Sequence, residues 1–187
     1  MDRREAVKYV SILLGGSLVG ADLFLTGCKN ETKYAGKAFT ADDYAYLDEI
    51  ADTILPDTKT PGAKAAKVGQ FMTVMVNDCY TEKNQKTFKD GMDKLNDLSK
   101  KKYDNSFMNI SPQQRHDLLV QLDAEQRDYT KNKKPEDEPH YFRMMKELTL
   151  LGYFTSEIGC TQARRYVPVP GKYDGNYPYK KGDKAFA

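Results

Sequence analysis

Tryptophan is missing from the 187 residues, histidine occurs twice and cysteine three times. Neither His116 nor His140 has a second histidine or cysteine at ligand spacing, so no metal motif can be assembled around them. His116 beside Asp117 reads as a surface residue on a polar helical face, and His140 after Pro139 as a helix cap or an exposed side chain. Also lacking are a G-x-G-x-x-G, a Walker loop, an H-E-x-x-H and a C-x-x-C, so a flavin or nicotinamide dinucleotide has no phosphate cradle here. Glu147 and Glu157 fall ten residues apart, which does not make a carboxylate pair for hydrolysis. A surplus of one charge is absent too: 29 basic against 27 acidic residues leave +2. Nucleic acid would call for a concentrated basic excess, and is excluded as a partner.

No apolar run is long enough to stay in a bilayer. The longest, Tyr9–Ala21, would span about 20 Å as a helix, against a hydrocarbon core of roughly 30 Å. It follows a basic start with Arg3, Arg4 and Lys8, which is the build of a signal peptide. Its end, Leu25-Thr26-Gly27-Cys28, resembles the lipobox of bacterial lipoproteins. There the two small residues admit the peptidase, and the cysteine thiol takes the diacylglycerol. Residues 1–27 are therefore expected to be removed, Cys28 to become the acylated N-terminus, and residues 28–38 to form a polar tether. Arg3-Arg4-Glu5-Ala6-Val7-Lys8 also resembles a twin-arginine export signal, with Asp2 and Ala6 at positions where Ser or Thr and Phe are usual. That route carries folded cargo. Localisation is expected to be membrane-anchored on the periplasmic side.

With Cys28 assigned to lipid, Cys79 and Cys160 remain. They either pair in an oxidising compartment or stay as two buried thiols.

The rest reads as all-α, a single domain over residues 39–187 of about five helices. Thr40 caps the first, with Asp43 at its third position and Phe39 placed to staple onto Tyr44. Tyr44, Leu47, Ile50, Ala51, Ile54 and Leu55 keep a helical period until Pro56. A second helix is predicted over about Lys67–Cys79, with Val68, Phe71, Met72, Met75 and Cys79 on one face. Thr81 caps a third, with Phe88, Met92, Leu95 and Leu98 in its stripe and lysines elsewhere. Ser111-Pro112-Gln113-Gln114 is a capping box for a fourth, carrying Leu118, Leu119 and Leu122. After a charged connector, a fifth runs from about His140 through Phe142, Met145, Leu148 and Leu151. From Arg164 the periodicity stops. Three prolines, three glycines and four tyrosines predict a tail that is mobile or lies extended on another surface.

Two segments carry a family resemblance. Ala51-Asp52-Thr53-Ile54-Leu55-Pro56 with Thr60-Pro61-Gly62-Ala63 resembles the first signature of the gluconate 2-dehydrogenase subunit 3 family. The second runs from Phe142-Arg143 and Lys146–Gly159 through Thr161–Tyr166, Pro168–Gly171 and Tyr173-Asp174-Gly175, and is similar to the family's most recognisable stretch. Met1–Glu5 and Ile110–Gln114 fit as well, so the likeness covers nearly the whole chain. The sequence departs at Cys160, where a small alanine-like residue is common, and in having a lipobox.

The resemblance implies a small subunit, without catalytic residue, cofactor or metal of its own. Its partner would be a large flavoprotein of the glucose–methanol–choline type that holds FAD, with a c-type cytochrome and its haem c as a possible electron outlet. The twin-arginine signal would then export the folded pair. Tyr153, Arg164, Arg165, Tyr166 and Tyr173 become docking candidates, since Tyr and Arg commonly anchor interfaces. The reading of another class is an independent surface lipoprotein that binds glycan or peptide through its Tyr-rich tail.

Overall fold

The structure, a computed structural model, describes residues 39–169 and 171–187. The signal segment with Arg3 and Arg4, Cys28 and the tether lie outside the described residues. The described residues belong to one compact unit. Its architecture is all-α, as the periodicity predicts, with five α-helices and no strand among the described residues.

Helix α1 spans Ala41–Ile54 and opens on the expected capping box. The Asp43 amide donates to Thr40 Oγ1, and the Thr40 amide donates to Asp43 Oδ2 at 2.7 Å. Phe39 finds its ring partner not on its own helix but across the bundle, edge-on to Phe88 with centroids 6.4 Å apart. Helix α2, Val68–Cys79, has no side-chain cap of its own, because Lys67 before it adopts a left-handed φ of 54°. Asp48 of α1 supplies the acceptor instead, taking the Gly69 amide at 2.7 Å. The two helices can come this close only at a glycine: a Cβ on residue 69 would lie 2.7 Å from the Tyr44 carbonyl oxygen.

This contact also corrects the expected inner face of α2. Val68, Gly69, Met72, Thr73 and Val76 are buried, Phe71 and Met75 are half-buried, and Cys79 is exposed. The helix is turned toward α1, so the side facing inward follows the close approach at Gly69 and not the bulkiest side chains. Cys79 and Cys160 are free, the second half-buried with its thiol 3.3 Å from the Phe154 carbonyl. They form neither a disulfide nor a pair of buried thiols.

Helix α3 spans Glu82–Tyr103 and α4 spans Pro112–Asn132, each capped as predicted, by Thr81 and by the Ser111–Gln114 box. Between them a single 3₁₀ turn, Phe107–Asn109, is pinned by Arg115 of α4. That side chain donates to the Phe107 and Met108 carbonyls at 3.1 and 2.9 Å and makes an ion pair with Glu49 of α1. Burial lowers the Arg115 pKa without bringing its charge into question.

Helix α5, Tyr141–Thr155, is the central element and packs against all four others. Phe142, Met145 and Leu148 enter the core formed around Leu47, Ile50 and Leu95. Leu151, predicted to continue that stripe, is 46 % exposed. Lys146 of α5 and Arg127 of α4 converge on Asp123; burial alone would raise that carboxyl, but hydrogen bonds from Lys146 and Gln126 and both positive charges hold it below the usual range.

His140 caps α5: its Nδ1 accepts the Phe142 amide at 3.2 Å. The imidazole is largely buried, stacked on Tyr141, with Glu125 of α4 3.6 Å from Nε2 and Lys94 of α3 nearby. Burial lowers its pKa, Lys94 adds to the effect, and Glu125 opposes it. A depressed histidine stabilises the fold fully above its unfolded pKa of about 6.5, and that contribution is lost as pH falls below it. Protonating Nδ1 also destroys the cap, worth about 1 kcal/mol. Thermal melts across pH 5–7 should therefore show a loss of stability toward acid that His140→Asn, which keeps an acceptor but does not titrate, reduces. An unchanged pH profile in that variant would show that other groups set it.

Candidate docking face

At the C-terminal end of α5 the chain turns through tightly fixed geometry. Gly152 lies where a Cβ would stand 2.6 Å from the Phe71 ring, so the ring of α2 rests directly on α5 backbone. Tyr153 turns inward, is 4 % exposed, and its hydroxyl donates to the Pro61 carbonyl at 2.7 Å. Ser156 ends the helix by donating its hydroxyl to the Tyr153 carbonyl at 2.7 Å and accepting the Gly159 amide at 3.0 Å. A π-helical turn, Gly159–Ala163, follows. It closes with the Arg164 amide donating to the Gly159 carbonyl at 2.9 Å.

Two segments more than ninety residues apart thus meet at one end of the bundle: the α1–α2 loop through Pro61, and the α5–π-turn junction through Tyr153. Asp52, at the root of that loop, has its carboxyl raised by burial and by the charge of Asp57.

The five docking candidates separate. Tyr153 serves the chain's own core, and this corrects its assignment to an outer surface: its ring is buried and its hydroxyl spent on Pro61. Arg164 lies over the Phe154 ring, 4.6 Å from its centroid, and is half-exposed. Arg165 is taken up internally. It donates to the Tyr177 hydroxyl at 2.8 Å and stacks on Phe186 at 4.8 Å, and its backbone bonds with Ala185 and Ala187. The tail returns on itself through a parallel bridge between Arg165 and Phe186. Tyr166 is 54 % and Tyr173 95 % exposed. Leu151, which a stripe read at helical spacing assigns to the core, and the neighbouring Leu150 are likewise exposed apolar side chains.

The acceptor nitrogen of His140 is occupied by a backbone amide, so the imidazole cannot take a proton from a substrate without uncapping α5. His116 is exposed on α4, and Glu147 is paired with Arg143 at 2.7 Å. Among the described residues no three His, Cys, Asp or Glu side chains are grouped to hold a metal ion, and no helix is long and apolar enough to cross a membrane.

The family model for gluconate 2-dehydrogenase subunit 3 matches residues 41–171, which takes in both meeting segments and every helix described above. The chain belongs to the gluconate 2-dehydrogenase subunit 3 family. No curated relative and no solved structure matches it. The family is named for one subunit of a dehydrogenase, and the two segments that carry the resemblance are the two that Tyr153 ties together.

Proposed function

We infer that this subunit 3 is a non-catalytic accessory chain that docks a large FAD-dependent flavoprotein of the glucose–methanol–choline type. It escorts that partner through export and holds it at the membrane by a lipid on Cys28. The observation that carries the reading is the junction of the two signature segments. They meet at one end of the bundle, and what they fix there is a shape: a loop, a helix end and a π-turn, with Leu151, Arg164 and Tyr166 on the outside. Of the two histidines, His140 has its acceptor nitrogen taken up as a helix cap. Electrons from the sugar or sugar acid would pass from the partner's FAD, with a c-type cytochrome as outlet where one is present. None of that chemistry involves a residue of this chain.

Co-expression with the flavoprotein tests the reading. The pair should co-purify, and the isolated subunit should be colourless, free of flavin and inactive toward gluconate and glucose. Leu151→Glu with Tyr166→Ala should lower the yield of the pair at least tenfold, because it places a charge in an apolar contact and removes an aromatic anchor, while the melt of the isolated subunit stays unchanged. A yellow isolated subunit would overturn the accessory reading. Full assembly of the double variant would place the interface elsewhere. A subunit that ignores the flavoprotein but binds glycan would favour an independent lipoprotein.

A further inference from the structure

Charge is unevenly divided along the chain after Cys28. The helical body, residues 39–163, holds seventeen basic and twenty-one acidic residues and is net acidic. From residue 164 onward six basic side chains face only Asp174 and Asp183, and the stretch from Cys28 to Ala38 has Lys29, Lys33 and Lys37 against Glu31. The basic surplus is confined to the two ends.

The C-terminal loop adds aromatic surface to its charge. Tyr173 is 95 % and Tyr179 75 % exposed, while Lys172, Lys180 and Lys181 are exposed beside them in sequence. The loop is nonetheless held in shape, because Arg165 fastens Tyr177 and Phe186, and Lys184 donates to the Gln162 carbonyl. Tyrosine and lysine share an amphipathic build, an apolar body with a polar tip, which suits the boundary between lipid headgroups and acyl chains.

We propose that residues 171–187 form a lipid-facing surface, whose lysines and tyrosines rest on anionic headgroups of the bilayer. The proximity of a bilayer rests on the lipobox reading of Cys28; the surface chemistry does not. Ten residues, Lys29–Ala38, can extend to about 36 Å. Helix α1, which begins just after them, is only about 21 Å long, and the tail is rooted beside Phe154, next to the residue bonded to the loop that follows α1. The acidic body is repelled by the same headgroups that attract the loop, so the charge division itself selects which face turns to the membrane.

The test uses the chain from residue 28 onward with Cys28→Ser, which removes the acyl contribution, mixed with phosphatidylglycerol–phosphatidylcholine vesicles or with phosphatidylcholine vesicles alone. The chain should co-sediment with the anionic vesicles only, and release in high salt. Lys172→Gln, Lys180→Gln and Lys181→Gln together should weaken partitioning on the order of a hundredfold, roughly fivefold for each lysine. Tyr173→Ser with Tyr179→Ser should weaken it at low salt with the lysine charges intact. Circular dichroism melts of both variants should match the parent, since these side chains are exposed. Absence of binding to anionic vesicles, or equal binding to both kinds, overturns the proposal. So does a triple lysine variant that keeps its vesicle binding but no longer co-purifies with the flavoprotein, which would assign the loop to a protein surface. The mass of the mature protein reports on Cys28 separately: vesicle binding without an acyl mass sustains the loop surface and removes the lipid anchor.

Discussion

Replacing Gly159 by alanine should lower the melting temperature of the subunit by about 10 °C. The Cβ would stand 1.8 Å from the Tyr153 carbonyl oxygen and within about van der Waals distance of Phe154 backbone, and no side-chain rotation can relieve a collision between backbone atoms. The turn has to open instead, which costs the Gly159 amide its bond to Ser156 and the Arg164 amide its bond to Gly159. Strain at such a position lies at the upper end of single-substitution effects, about 3–4 kcal/mol, and a chain of this size loses roughly 2–4 °C for each. Gly175→Ala is the control, since its Cβ would meet only the Tyr173 side chain, no closer than 3.3 Å. Circular dichroism melts of both variants decide the matter. A Gly159→Ala melt within two degrees or so of the parent would mean that the junction is loose, and would remove the rigid frame from the docking face.

Changing Arg3 and Arg4 together to lysine should leave both the subunit and its flavoprotein in the cytoplasm. The pair keeps its two positive charges, so a targeting step that reads only charge would proceed as before. A step that reads the planar, five-donor guanidinium fails. Cell fractionation with antibodies to both proteins separates the outcomes. Retention of the subunit with normal export of the flavoprotein would end the co-export proposal while leaving the signal itself intact. Normal export of both would end the twin-arginine reading.

The helices and most of their caps were legible because they depend on neighbours in sequence. Thr40, Thr81 and Ser111 are each followed within one turn by the amides they accept, and apolar residues recur at the helical period. Legibility ended wherever a second element set the outcome. The cap of α2 comes from Asp48, twenty-one residues upstream of Gly69. Phe39 meets the ring of Phe88, forty-nine residues downstream, a partner that no local pattern names. At the docking face the motif residues were identifiable, but their directions were not. Tyr153 and Tyr166 look alike as aromatic members of one signature, and only the carbonyl of Pro61 sends the first inward. Glycine was the missed signal: Gly69 and Gly152 within helices, at positions where alanine would be the better helix former, mark where another helix leans on backbone.

The placement of α5 has a consequence for the order of events during synthesis. The element that touches every other helix is the last one made, and the hydroxyl that seals the α1–α2 loop arrives more than ninety residues after its acceptor. At 5–20 residues per second, that interval lasts roughly 5–20 s. For that time the inner faces of α1 to α4 have no central partner. Completion of the fold therefore trails the synthesis of its first four helices by seconds, and any partner that docks on the α5–π-turn junction can be engaged only after translation has passed Thr155.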